Sequence, residues 1–378
     1  MIYVNIIGTT ILSVFALFIV TKKSKILSDY LLLLIIFLFS GILISGVLLE
    51  QNPSSFVYVL FLFFNSLIFP SLIIYGLVLL DPEHKFKIQW LWTASYAFVF
   101  ISFISVDILI INNYNTAEEV NALIENPSIF YNLLYKGQYV FVILALLWFI
   151  NKLKKYQNEI KNFFSYIDTI HLNWFKNFIY IYFWVNVISL VLFITLDLNL
   201  VSNIYIPLLI EHIILVLALF YLCFHGIKQY NLAELNTEQT TTNENKKGSS
   251  SIQKYSTSSL STKDMQSLYL HIENLFNQEQ IYLESELKID AIANELNVTT
   301  HRISQTINTI ASKPFYDYVN EFRVNHLKKL LKNDDNLKFT ILALGIESGF
   351  NSKATLNRVF RQQVGMSPNA FKKAQITT

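Results

Sequence analysis

A single cysteine, Cys223, occurs in 378 residues, and it lies inside an apolar run. One thiol cannot build a disulfide framework or a cysteine-rich zinc site, so Cys223 reads as a packing residue. There is no HExxH spacing, which argues against an intramembrane metal hydrolase. No nucleophile–base set, phosphate loop or metal cluster stands out, so a catalytic role, a metal and a cofactor are all without support. Arginine is scarce as well. The four arginines are Arg302, Arg323, Arg358 and Arg361, all within the last eighty residues. Three stretches, 50–55, 112–129 and 198–203, have no Lys or Arg at all.

What the chain has in abundance is hydrocarbon. Its hydrophobic content of 53% and mean hydropathy of +0.40 are too high for an ordinary soluble domain. The apolar runs are concentrated in residues 1–230. Seven of them, near 3–21, 29–49, 56–80, 88–111, 130–150, 175–197 and 204–225, are long enough to cross a hydrocarbon core that needs about 20 helical residues. The first lacks a basic leader and a small-residue cleavage site, so it reads as a span rather than a removed signal.

The loops set an orientation. Lys22, Lys23 and Lys25 follow span one, Lys85 and Lys87 follow span three, and Lys152, Lys154, Lys155 and Lys161 follow span five. The alternate loops are the three that carry no positive charge. Positive residues stay on the cytoplasmic side. The expectation is therefore an outside N-terminus and a cytoplasmic C-terminal region in a bacterial inner membrane. Ionisable residues at membrane depth are functional candidates. Asp107, Lys136, Glu211 and His212 fall in the outer halves of their spans and suggest a polar pocket, with Lys136 pairing Glu211 or Asp107. The plainer alternative is a set of hydrogen bonds between helices, as expected of Asn65 and Asn186.

From Asn236 to Thr262, 19 of 27 residues are Ser, Thr, Asn, Gln or Gly. Such a segment buries too little apolar surface to fold, so 231–262 is predicted to be a flexible linker. The charge then changes sign along the chain. Residues 262–298 hold 2 basic and 7 acidic side chains, and residues 299–378 hold 12 basic and 5 acidic ones. A basic face of this kind suits phosphates.

Within 263–378 a pattern occurs twice. Ile289, Ile292 and Ala293 precede a turn at Asn297–Thr299 and then Ile303 and Ile307. Ile341, Leu344 and Gly345 stand 52 residues later, and Leu356 and Phe360 stand 53 after Ile303 and Ile307. Two short helices across a tight turn make a helix-turn-helix, which predicts motifs at 289–310 and 341–364. Between them, "PFYDYVNEFRVNHLKKLL" places Phe315, Tyr318, Val319, Phe322, Leu327 and Leu330 on one face of a connecting helix. Pro314 suits its start.

These residues, above all "FYDYVNEFRVNHLKKLL" and "GFNSKATLNRVFRQQVGMSP", resemble the DNA-binding domain of the AraC/XylS family of bacterial transcription regulators over about 262–373. The layout is similar to that family's membrane-anchored members. The resemblance implies that the second helix of each motif enters a major groove of double-stranded DNA. By position, His301, Ser304 and Gln305, then Lys353, Asn357 and Arg358, would face bases. Thr300, Arg302 and Arg361 are better suited to phosphates. Two departures from the family pattern matter. Lys288 stands where a capping Ser or Thr is usual, and lysine cannot accept the amide hydrogen bond. Gly345 replaces the usual alanine, at a cost of up to about 1 kcal/mol in helix propensity.

The fold expected is all-α: a seven-helix transmembrane bundle, a linker and a tandem helix-turn-helix domain. The function expected is promoter binding by a membrane-embedded regulator that answers a small-molecule or protein signal. Pairing of two bundles into a homodimer would raise the effective concentration of their DNA domains. The rival reading is a receptor- or transporter-like protein whose C-terminal domain recruits other proteins. Basic residues on both recognition helices favour DNA.

Overall fold

The computed structural model describes residues 1–51, 54–81, 129–168, 170–198, 200, 205–229, 261–336 and 338–376. The predicted fourth span, Asp107 and nearly all of the 231–262 linker fall outside them. The chain divides into two compact units. One comprises residues 1–154 and 172–243; the other comprises 155–171 and 244–378. This corrects a boundary expected at 230. Residues 155–171 interrupt the N-terminal half in sequence yet belong to the C-terminal unit.

The first unit holds six described helices of membrane-spanning length. They are α1 (Ile2–Val20), α2 (Leu27–Gln51), α3 (Ser55–Leu80), α4 (Ile129–Glu159), α5 (Asn173–Asp197) and α6 (Tyr205–Lys228). Their surfaces carry large apolar side chains, among them Phe18, Phe37, Trp184, Val191 and Leu217. Polar Asn5, Ser45, Ser66, Asn186 and Ser189 are buried. An apolar exterior around polar interior groups is the distribution hydrocarbon solvent demands.

The serines also satisfy their own helices. Ser45 Oγ donates to the Gly41 carbonyl at 2.7 Å and Ser189 Oγ to that of Val185 at 2.9 Å. Asp29 lies in the first turn of α2, and its carboxylate accepts from the Ile26 amide at 3.0 Å and from Lys22 Nζ at 2.9 Å. At the centre, Phe149 of α4 and Phe175 of α5 meet edge-to-face at 5.8 Å. Gly76 of α3 makes room for them: a Cβ there would lie 2.4 Å from the Phe149 ring.

In the second unit, α7 (Thr262–Asn274) leads through a wide turn, Leu275–Glu279, into two pairs of short helices. The first pair is α8 (Ile289–Glu295) and α9 (Thr300–Ile310); the second is α11 (Ile341–Glu347) and α12 (Lys353–Val364). Between them runs α10 (Phe315–Lys332), and α13 (Pro368–Ile376) closes the chain. The turns rest on left-handed residues, Asn297 in the first pair and Gly349 in the second.

Five described helix starts of this unit are capped by a neighbouring side chain. Ser261, Thr299, Thr340, Ser352 and Ser367 accept from the amides of Asp264, Arg302, Ala343, Thr355 and Ala370, each worth about 1 kcal/mol. Lys288 makes no such bond. The first amide of α8, that of Ile289, donates to the Phe163 carbonyl at 3.0 Å.

Ile272, Phe276, Leu287, Ile289, Ile292, Ile303, Ile307, Phe315 and Val319 form one core around the first pair. Leu344, Phe350, Leu356, Val359 and Phe360 are buried around the second. Gly345 lets the second pair close up, because a Cβ there would meet Leu356 Cδ2 at 2.6 Å. Its propensity cost is thereby offset by contact. Phe360 is fully buried and meets Phe371 edge-to-face at 5.6 Å. Phe360→Ala should therefore cost about 3–5 kcal/mol. The check is hydrogen exchange of the α12 amides, which should speed by about 100-fold or more.

Candidate nucleic-acid interface

The second helix of each pair shows one face to the core and one to water. On α9, Ile303, Thr306 and Ile307 are buried, whereas His301 and Arg302 are exposed and Gln305 is half-buried. Ser304, expected to face bases, is buried, and Asn308 Nδ2 lies 3.4 Å from its hydroxyl. That corrects its assignment, because its oxygen points toward protein. On α12, Thr355, Leu356, Val359 and Phe360 face inward. Lys353, Arg358 and Arg361 are exposed and Asn357 is half-buried, its amide bonded to the Lys353 carbonyl at 2.8 Å. Thr300, at the first turn of α9, is half-buried. Each helix thus presents polar side chains and a capped N-terminus on its outward face, the end at which free amides and the helix dipole attract anions.

Arg358 is held rather than free. Its Nη2 donates to the Tyr316 hydroxyl at 2.8 Å, and its guanidinium lies 5.9 Å from the Tyr316 ring centre. It also stands 3.6 Å from a carboxylate oxygen of Asp168. Burial pushes the Tyr316 phenol up, with the nearby Arg358 charge opposing that shift.

Arg323, central on α10, is 2% exposed. It donates to the carbonyls of Tyr282 (2.8 Å), Glu284 (2.6 Å) and Ser285 (3.3 Å), and to Ser165 through both its carbonyl (3.3 Å) and its hydroxyl (3.1 Å). Burial lowers its pKa to about 10, so it stays charged at neutral pH. It binds protein, not DNA.

Sequence reasoning missed the segment 155–171 altogether. Ser165 donates its amide to the Leu287 carbonyl at 3.1 Å, which with the Ile289–Phe163 bond makes a short antiparallel bridge between Phe164 and Lys288. Asn308 Nδ2 bonds Asn162 Oδ1 at 3.2 Å. Asp168 lies 3.3 Å from the Ser352 hydroxyl and bonds that of Thr355. The signal available was the set of apolar residues Ile160, Phe163, Phe164, Ile167 and Ile170 in a loop between spans, of which Ile160, Ile167 and Ile170 are buried.

In the first unit, the four expected pocket residues separate. Lys136 forms an ion pair with Asp197, not with Glu211, and it does not line the cavity that Glu211 and His212 share. Asp107 lies outside the described residues. The cavity holds about 370 Å³, and its polar wall includes Asn5, Asn65, Asn186, Ser189, Glu211 and His212. Ser189 Oγ, its single proton shared with the Val185 carbonyl, lies 2.6 Å from Glu211 Oε1, and the His212 ring bonds Asn5. Among the described residues, no donor reaches the buried Glu211 Oε2. Nor do any three His, Cys, Asp or Glu side chains gather as metal ligands there.

The helix-turn-helix domain family matches residues 292–374. The C-terminal unit carries a helix-turn-helix domain. A probable transcription factor of Proteus vulgaris, PqrA, is 27% identical over 107 residues, covering 27% of this chain and 85% of that protein. No solved structure matches significantly. Among the described residues the chain is accordingly all-α, with membrane-length N-terminal helices and a C-terminal helix-turn-helix domain.

Losing the Arg323 fork would leave several buried carbonyls without donors. Arg323→Ala should destabilise the C-terminal unit by about 3–5 kcal/mol. Arg323→Lys should recover little, because an ammonium cannot span the same set of acceptors. Thermal unfolding of the two variants beside the parent decides it.

Proposed function

We propose that the protein is a membrane-embedded bacterial transcription regulator. Its two helix pairs act as tandem helix-turn-helix motifs of the AraC/XylS type, bind promoter DNA from the cytoplasmic side of the inner membrane and answer a signal received in the membrane. The observation that carries this reading is the matching construction of α9 and α12. Each is the second helix of its pair, with a side-chain cap at its N-terminus and an exposed basic and amide face.

In this reading His301 and Gln305 of α9, with Lys353, Asn357 and Arg358 of α12, face base edges. Arg reads guanine O6 and N7, and Gln or Asn reads adenine. Ser304 leaves the set because it is buried. Thr300, Arg302 and Arg361 take phosphates, which fix register without reading sequence.

Selection of binding sequences from a random duplex library tests the assignment. Gln305→Ala should cost about 1–3 kcal/mol on the selected sequence and relax preference at one base pair. Arg361→Ala should weaken all sequences alike and lower the salt dependence by about one ion. Loss of preference in Arg361→Ala but not in Gln305→Ala would refute the division of roles.

The cavity around Glu211 is proposed as the place where the signal enters. Among the described residues its lining includes Glu211, several amides, Glu50 paired at 3.6 Å with the Met1 amino group, and apolar walls such as Phe39, Phe61 and Leu219, with no lysine or arginine side chain. This chemistry suits a small amine on an apolar body. A series of short primary alkylamines should stabilise the protein, by about 2.7 kcal/mol at 100-fold excess over Kd, and so raise its melting temperature. Glu211→Gln should abolish that rise, and an equal rise in both proteins sinks the proposal.

A further inference from the structure

We propose that the strap of residues 155–171 is a built-in competitor of DNA, its Asp168 carboxylate standing in for a DNA phosphate at the start of α12. The inference rests on α12 being a DNA-reading helix and adds the regulation of that same face.

Asp168 engages three side chains at once: the hydroxyls of Ser352 and Thr355 and, at 3.6 Å, the guanidinium of Arg358. Ser352 is the N-cap of α12 and Thr355 and Arg358 lie in its first two turns. This is the end of a recognition helix that meets DNA in helix-turn-helix complexes. It is also where a helix best accepts an anion, through free amides and the positive end of its dipole. Hydroxyls and an arginine at such an end are phosphate ligands by chemistry. A carboxylate seated there fills the position and adds a negative charge facing the phosphate backbone. The conformation described is therefore one in which the N-terminal end of α12 is occupied by Asp168.

The strap is built to hold that position. Its neck is closed by Tyr156 donating to the Ile170 carbonyl at 3.0 Å and Gln157 to that of His171 at 2.8 Å. Its middle is fastened by the Phe164–Lys288 bridge and by the two bonds from Arg323 to Ser165. The strap also serves the start of α8, where Lys288 offers no side-chain cap and the Phe163 carbonyl takes the Ile289 amide, one of the helix's free first-turn amides. Asn162 reaches Asn308 of α9 as well. In sequence the strap runs from the last turn of α4 to the residues just before α5. A ligand that shifts those spans pulls directly on the segment that covers α12, with no need to act through the residues 231–262.

The test uses the full-length protein in lipid nanodiscs and a random-sequence duplex of about 30 base pairs, long enough for two successive major grooves. Asp168→Asn and Asp168→Ala should each tighten binding, by about tenfold or more. A second variant joins Asp168→Cys with Thr355→Cys. Oxidised, it should bind the duplex at least about tenfold more weakly than after reduction. Unchanged or weaker binding in both Asp168 variants overturns the proposal. So does equal binding by the oxidised and reduced double variant, or failure of its two thiols to join. If neither the parent nor any variant binds duplex DNA, the DNA-reading assignment of α12 itself is wrong. If all bind equally, that assignment stands and only the competition fails.

Discussion

Burying the guanidinium of Arg323 takes a full charge out of water, and the C-terminal unit is arranged to meet that cost. A charge that is 2% exposed survives only where its donors are all matched. Here the acceptors come from three places: Asn320 on α10 itself, the turn at 282–285, and Ser165 of the strap. One side chain thus ties the connecting helix to the approach of the first helix pair and to a segment more than 150 residues earlier. The register of that pair against α10, and with it the presentation of α9, follows from this satisfaction of backbone carbonyls.

The two units solve the burial problem in opposite solvents. In the first, the hydrophobic effect supplies no gradient between helix and lipid, so close packing at Gly76 and polar contacts such as Ser189 with Glu211 hold helices together. In the second, water outside and Phe276, Ile292, Ile307 and Phe360 inside give the ordinary drive. The polar cavity in the first unit is accordingly the costlier feature. An unsatisfied oxygen on Glu211 is hard to keep at membrane depth unless something is meant to meet it.

A flexible linker would suggest that the halves communicate only by concentration or cleavage. The strap changes that view, because residues continuous with two spans are integral to the C-terminal unit. Coupling free energy needs an element whose arrangement both sides bias, and the proposed competition by Asp168 would give the strap that role.

Much of this was determined by the sequence by itself. Spans are legible because a bilayer requires unbroken apolar runs of about 20 residues. The helix pairs are legible because Ile289, Ile292, Ile303 and Ile307 repeat at helical spacing, and local caps such as Thr299 need only neighbouring amides. The partner of Lys136, the inward turn of Ser304 and the seat of Asp168 were decided by tertiary structure alone. Lys136 found Asp197 rather than Glu211 because pairing at membrane depth depends on which helix faces approach. Ser304 lies at the edge of the apolar stripe, where neighbouring elements settle which way a hydroxyl points. Asp168 sits in a loop without period, and its meaning depends on Ser352, Thr355 and Arg358, more than 180 residues away in the chain. Contacts of that separation leave no local pattern, because they are stabilised by groups that only folding brings together.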